Sequence, residues 1–168
     1  MPDATELELT AQELRDAHRD SILDTEFHRG RATLVANPVS VKAVLEHLRG
    51  KGYKFLASVH GVDYYPDEPR LGVLYELLDM QRVDRISVKA RVPTDAPELA
   101  TVTDIWTGAN HPEREVYDMF GVVFHNHPNL IRILMPLDWE GYPLRKDYGI
   151  IQQDQEWVHI NLGIESGQ

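Results

Sequence analysis

The sequence predicts an α+β fold: a two-layer α/β sandwich with a mixed sheet, helices packed on one face, and an extended C-terminal segment. Three observations lead there. Val41, Val44, Leu45 and Leu48 recur at i, i+3, i+4 and i+7, which places one apolar stripe on a helix. Strand-length apolar runs surround that stripe, separated by Gly, Pro and Asn. Beyond Gly121 the regular pattern fades into Asn, Pro and Gly punctuation between short apolar pieces.

In chain order, Thr10 with Glu13 forms a capping-box signal for a short helix across Ala11 to His18. Two strand-like runs follow, Ser21 to Phe27 and Arg31 to Ala36, with Gly30 between them. After Asn37 and Pro38 comes the striped helix, ending near Gly50 or Gly52. Strands are predicted at Tyr53 to Val59, Leu71 to Leu78 and Arg85 to Val92, the first two joined by a turn around Pro66 and Pro69. The third alternates Ile86, Val88, Ala90 and Val92 with charged neighbours, so one sheet face should be wet. Pro93 to Leu99 reads as a loop.

A helix between Asn110 and Gly121 has well-marked ends, with Asn110 as N-cap, Pro112 in the first turn, Glu113 in capping-box position and Gly121 as the stop. Arg114 faces Asp118 at i,i+4 with the acid nearer the C-terminus, where the helix dipole opposes it. Local helix energetics do not explain Asp118, which marks it for a tertiary or functional constraint. A solvated charged face is the plainer alternative. The segment after Gly121 carries more apolar residues than a disordered linker needs, and it is expected to order on a partner. The compact domain should therefore span residues 1–123, with 124–168 a docking segment rather than an independent domain.

Composition narrows the chemistry. The chain has 168 residues, enough for one domain, and a formal charge of -10 from 17 basic and 27 acidic side chains, which disfavours nucleic acid and anionic membrane surfaces as direct partners. With no cysteine it offers none of the thiolates that hold most iron-sulfur clusters, and no dinucleotide or phosphate-loop motif occurs. It shows no secretory signal and no apolar run of about 20 residues, so membrane association should run through partners. His125 and His127 form an HxH pair, but His127 opens a His-Pro turn and no third ligand is well placed. Glu113 and Glu115, two apart on a helix, diverge too far for paired acid-base work. Trp106, Trp139 and Trp157 suit core or interface packing better than ligand stacking. Ser58 and Ser87 lack a nucleophile-elbow context.

Four blocks stand in order: EREVYDMFG from Glu113, HPNL from His127, RILMPLDW from Arg132, and PLRKDY from Pro143 to Tyr148. Together they resemble the signature of the C subunit of the proton-translocating NADH:quinone oxidoreductase, respiratory complex I. Weaker similarity runs upstream through TVTDIWTGAN, VLYELL and FLASVHGVDYY, to about residue 30. Two positions depart from the pattern: Ile131, where a basic residue is common beside the arginine kept here as Arg132, and Tyr142, where His is common.

The resemblance implies a compact two-layer domain whose C-terminal extension lies along the quinone-site-bearing subunit. It implies a cofactor-free accessory subunit of the peripheral arm, on the cytoplasmic side of the cell membrane. There the whole enzyme passes electrons from NADH through FMN and iron-sulfur clusters, held by partner subunits, to quinone. No residue of this chain is expected to be catalytic or to bind a metal or cofactor. The expected interface residues are Glu113, Arg114, Glu115, Asp118, Arg132, Asp138, Trp139, Arg145, Lys146, Asp147 and Tyr148. The alternatives are the homologous module of a membrane-bound hydrogenase or related dehydrogenase, and a stand-alone metal-dependent enzyme using the histidines.

Overall fold

The structure is a computed structural model and describes residues 3–148. Helix α1 (Ala4–Ala17) starts two turns before the expected position: Asp3, not Thr10, caps it, accepting the Glu6 amide at 2.8 Å. The helix buries Leu7, Ala11 and Leu14, an i, i+4, i+7 stripe that extends upstream of the Thr10 signal. Helix α2 (Val41–Gly50) buries Val41, Val44, Leu45 and Leu48, as the periodicity predicts.

Five strands form the main sheet in the order β1-β2-β5-β4-β3: β1 (Ile22–His28), β2 (Arg31–Ala36), β3 (Phe55–Asp63), β4 (Leu71–Asp79) and β5 (Asp84–Val92). β2 and β5 run parallel and the other neighbours antiparallel, so the sheet is mixed, with the helices on one side. Leu34, Val73, Tyr75, Leu77, Val88 and Ala90 meet the helices in a fully buried layer. β3 lies further along the chain than the expected Tyr53 to Val59. Tyr53 precedes it, just after the turn that ends α2, and is buried, with its hydroxyl donating to Asp84 at 2.7 Å. The opposite face is less wet than alternation suggests, because the Tyr64 ring shields the Lys89 and Arg91 heads, at 5.8 and 4.5 Å from its centroid.

Pro93 to Leu99 is not wholly loop. Strand β6 (Glu98–Ala100) pairs in parallel with β7 (Val123–His125), which follows helix α3 (Asn110–Phe120). α3 packs on the edge strand β3, its Phe120 ring lying against Gly61. Gly121 ends α3 in the left-handed conformation, φ 75°, its amide donating to the Tyr117 carbonyl. A Cβ there would also sit 2.5 Å from the Tyr142 ring, so the stop is a packing point for the segment beyond it. The expected division at 123/124 falls inside β7, and the chain from 126 to 148 crosses the surface of its own domain with little regular structure. Residues 149–168, including Trp157 and the expected contact at Asp154 to Gln168, lie outside the described residues.

Candidate functional site

Two carboxylates of α3 point inward rather than to solvent. Glu113 makes no capping box: a 3-10 turn (Thr107–Ala109) leads into the helix, and Asn110 belongs to the helix itself. The Glu113 side chain is fully buried, accepting the Thr101 hydroxyl at 2.5 Å and the Val102 amide at 2.8 Å, so it ties the loop after β6 to the first turn of α3. The buried His127 ring lies 3.9 Å away, its Nδ1 accepting the Asn129 amide, which leaves Nε2 to carry the hydrogen and donate to the Asn110 carbonyl at 3.1 Å. Burial lowers the His127 pKa and favours this neutral ring. His125 instead meets Glu98 at the surface, so the two imidazoles of the HxH pair serve different partners.

Burial pushes Glu113 up to about 7, outweighing the Thr101 and Val102 bonds. The folded protein thus holds this proton more tightly than the unfolded chain. The resulting stabilisation is complete below the ordinary carboxylate value and is lost as pH rises through about 7. Glu113→Gln is expected to flatten the stability profile over that window, removing a slope of at most about 1.4 kcal/mol per pH unit. Urea titrations at several pH values measure it; a variant that keeps the wild-type slope assigns the proton elsewhere.

Asp118 explains its own unfavourable helix position. One of its oxygens accepts the consecutive amides of Ile133, Leu134 and Met135 at 2.7 to 3.0 Å, and the other accepts Arg132 at 2.7 Å. Burial alone would raise this carboxyl; the amides and the guanidinium outweigh it and hold the group below the usual range. Arg114 does not pair with Asp118 but donates to the Ile131 carbonyl at 3.0 Å, while Arg132 also reaches the Gly141 carbonyl.

Further along, Arg145 donates to the Phe120 carbonyl at 2.7 Å and lies 4.5 Å over the Tyr142 ring, which Arg132 approaches at 5.4 Å. The departure at Tyr142 thus supplies an aromatic surface for two arginines. The far end is fixed by Arg70, whose guanidinium bonds both oxygens of buried Asp63 and both oxygens of Asp147 at 2.6 to 2.8 Å. Asp63 also accepts the Lys146 amide at 2.7 Å. Hydrogen bonding from Arg70 holds both carboxyls below their ordinary values.

Polar residues expected to reach a partner therefore divide. Glu113 and Asp118 are buried within this chain, which corrects their expected role as outward contacts. Arg114, Arg132, Arg145 and Asp147 secure the arm to the domain. Glu115, Asp138 and the Lys146 side chain are exposed; Trp139 is half-buried, and Tyr148 is half-buried with its ring against Gly141. Sequence reasoning missed Asp63 and Arg70, although an acid closing one strand run and a base opening the next, across a Pro-rich turn, was the available signal. Intrachain bonds from Arg114, Asp118, Arg145 and Asp63 join residues 131–147 to the domain. Outward, the arm shows Ile131, Leu134, Leu137 and Leu144, which are 44 to 78% exposed.

Fold and site together define a two-layer α+β domain that carries a backbone-pinned C-terminal arm. A family model described as respiratory-chain NADH dehydrogenase, 30 kDa subunit, matches residues 34–154, and the chain belongs to that family. The C subunit of NADH-quinone oxidoreductase from Citrifermentans bemidjiense is 42% identical over 144 residues, 85% of this chain and 89% of the relative. Its counterpart in Geotalea uraniireducens is 38% identical over 157 residues, 93% and 96% of the two chains. Among solved structures, a trypsin-resistant fragment (1-134) of Nqo5 is 37% identical with a TM-score of 0.65, covering 74% of this chain and 98% of the fragment. A chain of the membrane-bound sulfane sulfur reductase, an archaeal respiratory membrane complex, shares the fold at 22% identity and a TM-score of 0.67, over 94% and 91% of the chains. Relatives of this chain are thus subunits of an enzyme complex, and no helix among the described residues is long and apolar enough to cross a membrane.

Proposed function

We propose that this chain is an accessory subunit of the peripheral arm of complex I. It docks onto the quinone-site-bearing subunit and supports electron transfer from NADH to quinone coupled to ion translocation. It binds no cofactor and performs no chemistry itself; FMN and iron-sulfur clusters belong to partner subunits, and it meets the membrane only through them, on the cytoplasmic side. The observation that supports docking is the arm, whose backbone is fixed from beneath while Leu134 and Leu137 face outward at 59% and 78% exposure. A rigid segment with exposed apolar side chains loses little freedom on binding.

Leu134→Glu with Leu137→Glu should leave the isolated chain folded, because both side chains are exposed. Losing such apolar contacts should weaken association with the quinone-site-bearing subunit by about 2 kcal/mol or more. Quinone-linked NADH oxidation should fall with association, and oxidation with an artificial acceptor should fall less. Wild-type association and turnover in the double variant would exclude this face as the docking surface.

A further inference from the structure

The arm begins at a turn that rests on one imidazole. After β7, Asn126 takes the left-handed conformation, φ 64°, and the His127 amide donates to the Phe124 carbonyl. The His127 ring then joins two stretches of main chain: Nδ1 accepts the Asn129 amide at 3.0 Å, and Nε2 donates to the Asn110 carbonyl of α3 at 3.1 Å. Onward, the Asn129 carbonyl accepts the Ile131 amide and the Ile131 carbonyl accepts Arg114, so the ring is the first link in a series of bonds that runs on to Asp118. Asn126, Pro128 and Asn129 are exposed, whereas the His127 side chain is wholly buried.

This arrangement tolerates one charge state. Nδ1 must be bare to receive an N–H; a proton added there sets donor against donor and leaves an imidazolium closed off from water. The surrounding charges offer it little relief. On α3, Arg114 disfavours a second positive charge, and Glu113 lies 3.9 Å from Nε2, beyond hydrogen-bond length, with its oxygens engaged by Thr101 and Val102. Tyr75 of β4, Asp104 of the loop after β6 and Lys42 of α2 act on Glu113, the last two as an ion pair of 2.6 Å. His125 on β7 faces Glu98 at the surface.

We propose that His127 is a pH-sensitive catch at the root of the arm. Neutral, the ring closes the turn at 126–129 against α3; protonated, it turns away the Asn129 amide and frees that turn. Asp118 and Asp63, whose carboxyls are held below the usual range and stay ionised through this window, keep the segment beyond attached. Acid thus gives the arm a hinge at its start without detaching it. The sign follows from burial, which sets the folded-state His127 value below that of the unfolded chain: the catch is fully closed above about pH 6.5 and is lost as pH falls below it. The device lies within the isolated chain and stands or falls separately from the docking reading.

Nitrogen NMR of the His127 ring and of the backbone amides, between about pH 5 and 8 on the isolated chain, tests it. At the upper end Nε2 should carry the hydrogen and Nδ1 none. On acidification Nδ1 should gain one, and protection of the Asn129 amide from exchange, corrected for the intrinsic rate at each pH, should drop about tenfold with the same midpoint. The Met135 amide on Asp118 should keep its protection. His127→Asn offers a side-chain oxygen to the amide two residues on but takes up no proton, so protection of Asn129 should no longer depend on pH. Glu113→Gln should retain the acid transition, because the ring carries it. A hydrogen on Nδ1 at about pH 8, Asn129 protection that persists while the ring titrates, or a ring that stays neutral down to acid unfolding would each overturn the proposal. Loss of the transition in Glu113→Gln, or its survival in His127→Asn, assigns the switch to another group and overturns it equally.

Discussion

Asp118→Ala is expected to release the middle of the C-terminal arm. The substitution leaves three amide donors and the Arg132 guanidinium without their common acceptor, and Arg132 is only 11% exposed at its side chain. Removing one member of a buried, hydrogen-bonded charge pair costs about 3 to 5 kcal/mol. Hydrogen exchange on the isolated chain reads this directly: protection of the Ile133, Leu134 and Met135 amides should drop about a hundredfold or more, while the α2 amides change little. If these three amides already exchange freely in the wild type, or stay protected in the variant, Asp118 does not hold the arm.

Arg70→Met should be comparably severe. Asp63 would keep its two backbone donors but lose the cation that neutralises a side chain 2% exposed, and Asp147 would lose its tether. A cost of about 3 to 5 kcal/mol corresponds to a fall in melting temperature of about 6 °C or more for a chain of this size. The two ends of the pair should be strongly coupled, so adding Asp63→Asn to Arg70→Met should recover part of the loss. Additive losses would show that each side chain acts alone. The pH dependence has a definite sign: because Arg70 lowers the Asp63 pKa, its stabilisation is present above the ordinary carboxylate value and is lost as pH falls through the lowered one. Below about pH 4 the wild type should therefore lose stability more steeply than Arg70→Met, in which this acid-side loss shrinks.

Legibility in the sequence followed the range of the interactions. α2 was readable because its four apolar positions declare their period within ten residues. α1 was misplaced because Thr10 and Glu13 imitate a cap, whereas the working cap is a single aspartate seven residues earlier. β6 was invisible: three residues suffice only because β7 returns beside them after α3. Asp118 could be recognised as an anomaly against the helix dipole. Its partners could not, since backbone amides at 133–135 leave no mark in side-chain identity. Asp63 and Arg70 sit at strand ends beside prolines, where a charge ordinarily reads as solvated, and only the fold brings Asp147 to them from 77 residues away.

The way Asp118 grips the arm has an evolutionary corollary. Every bond it makes to Ile133, Leu134 and Met135 is to main chain, so anchorage is indifferent to which side chains those positions carry. Leu134, outward and 59% exposed, can be exchanged without loosening the attachment, much as a lettered tile can be replaced in a fixed frame. Recognition on the outer surface is thereby free to drift and co-adapt with a changing counterpart, while the acid beneath it is not.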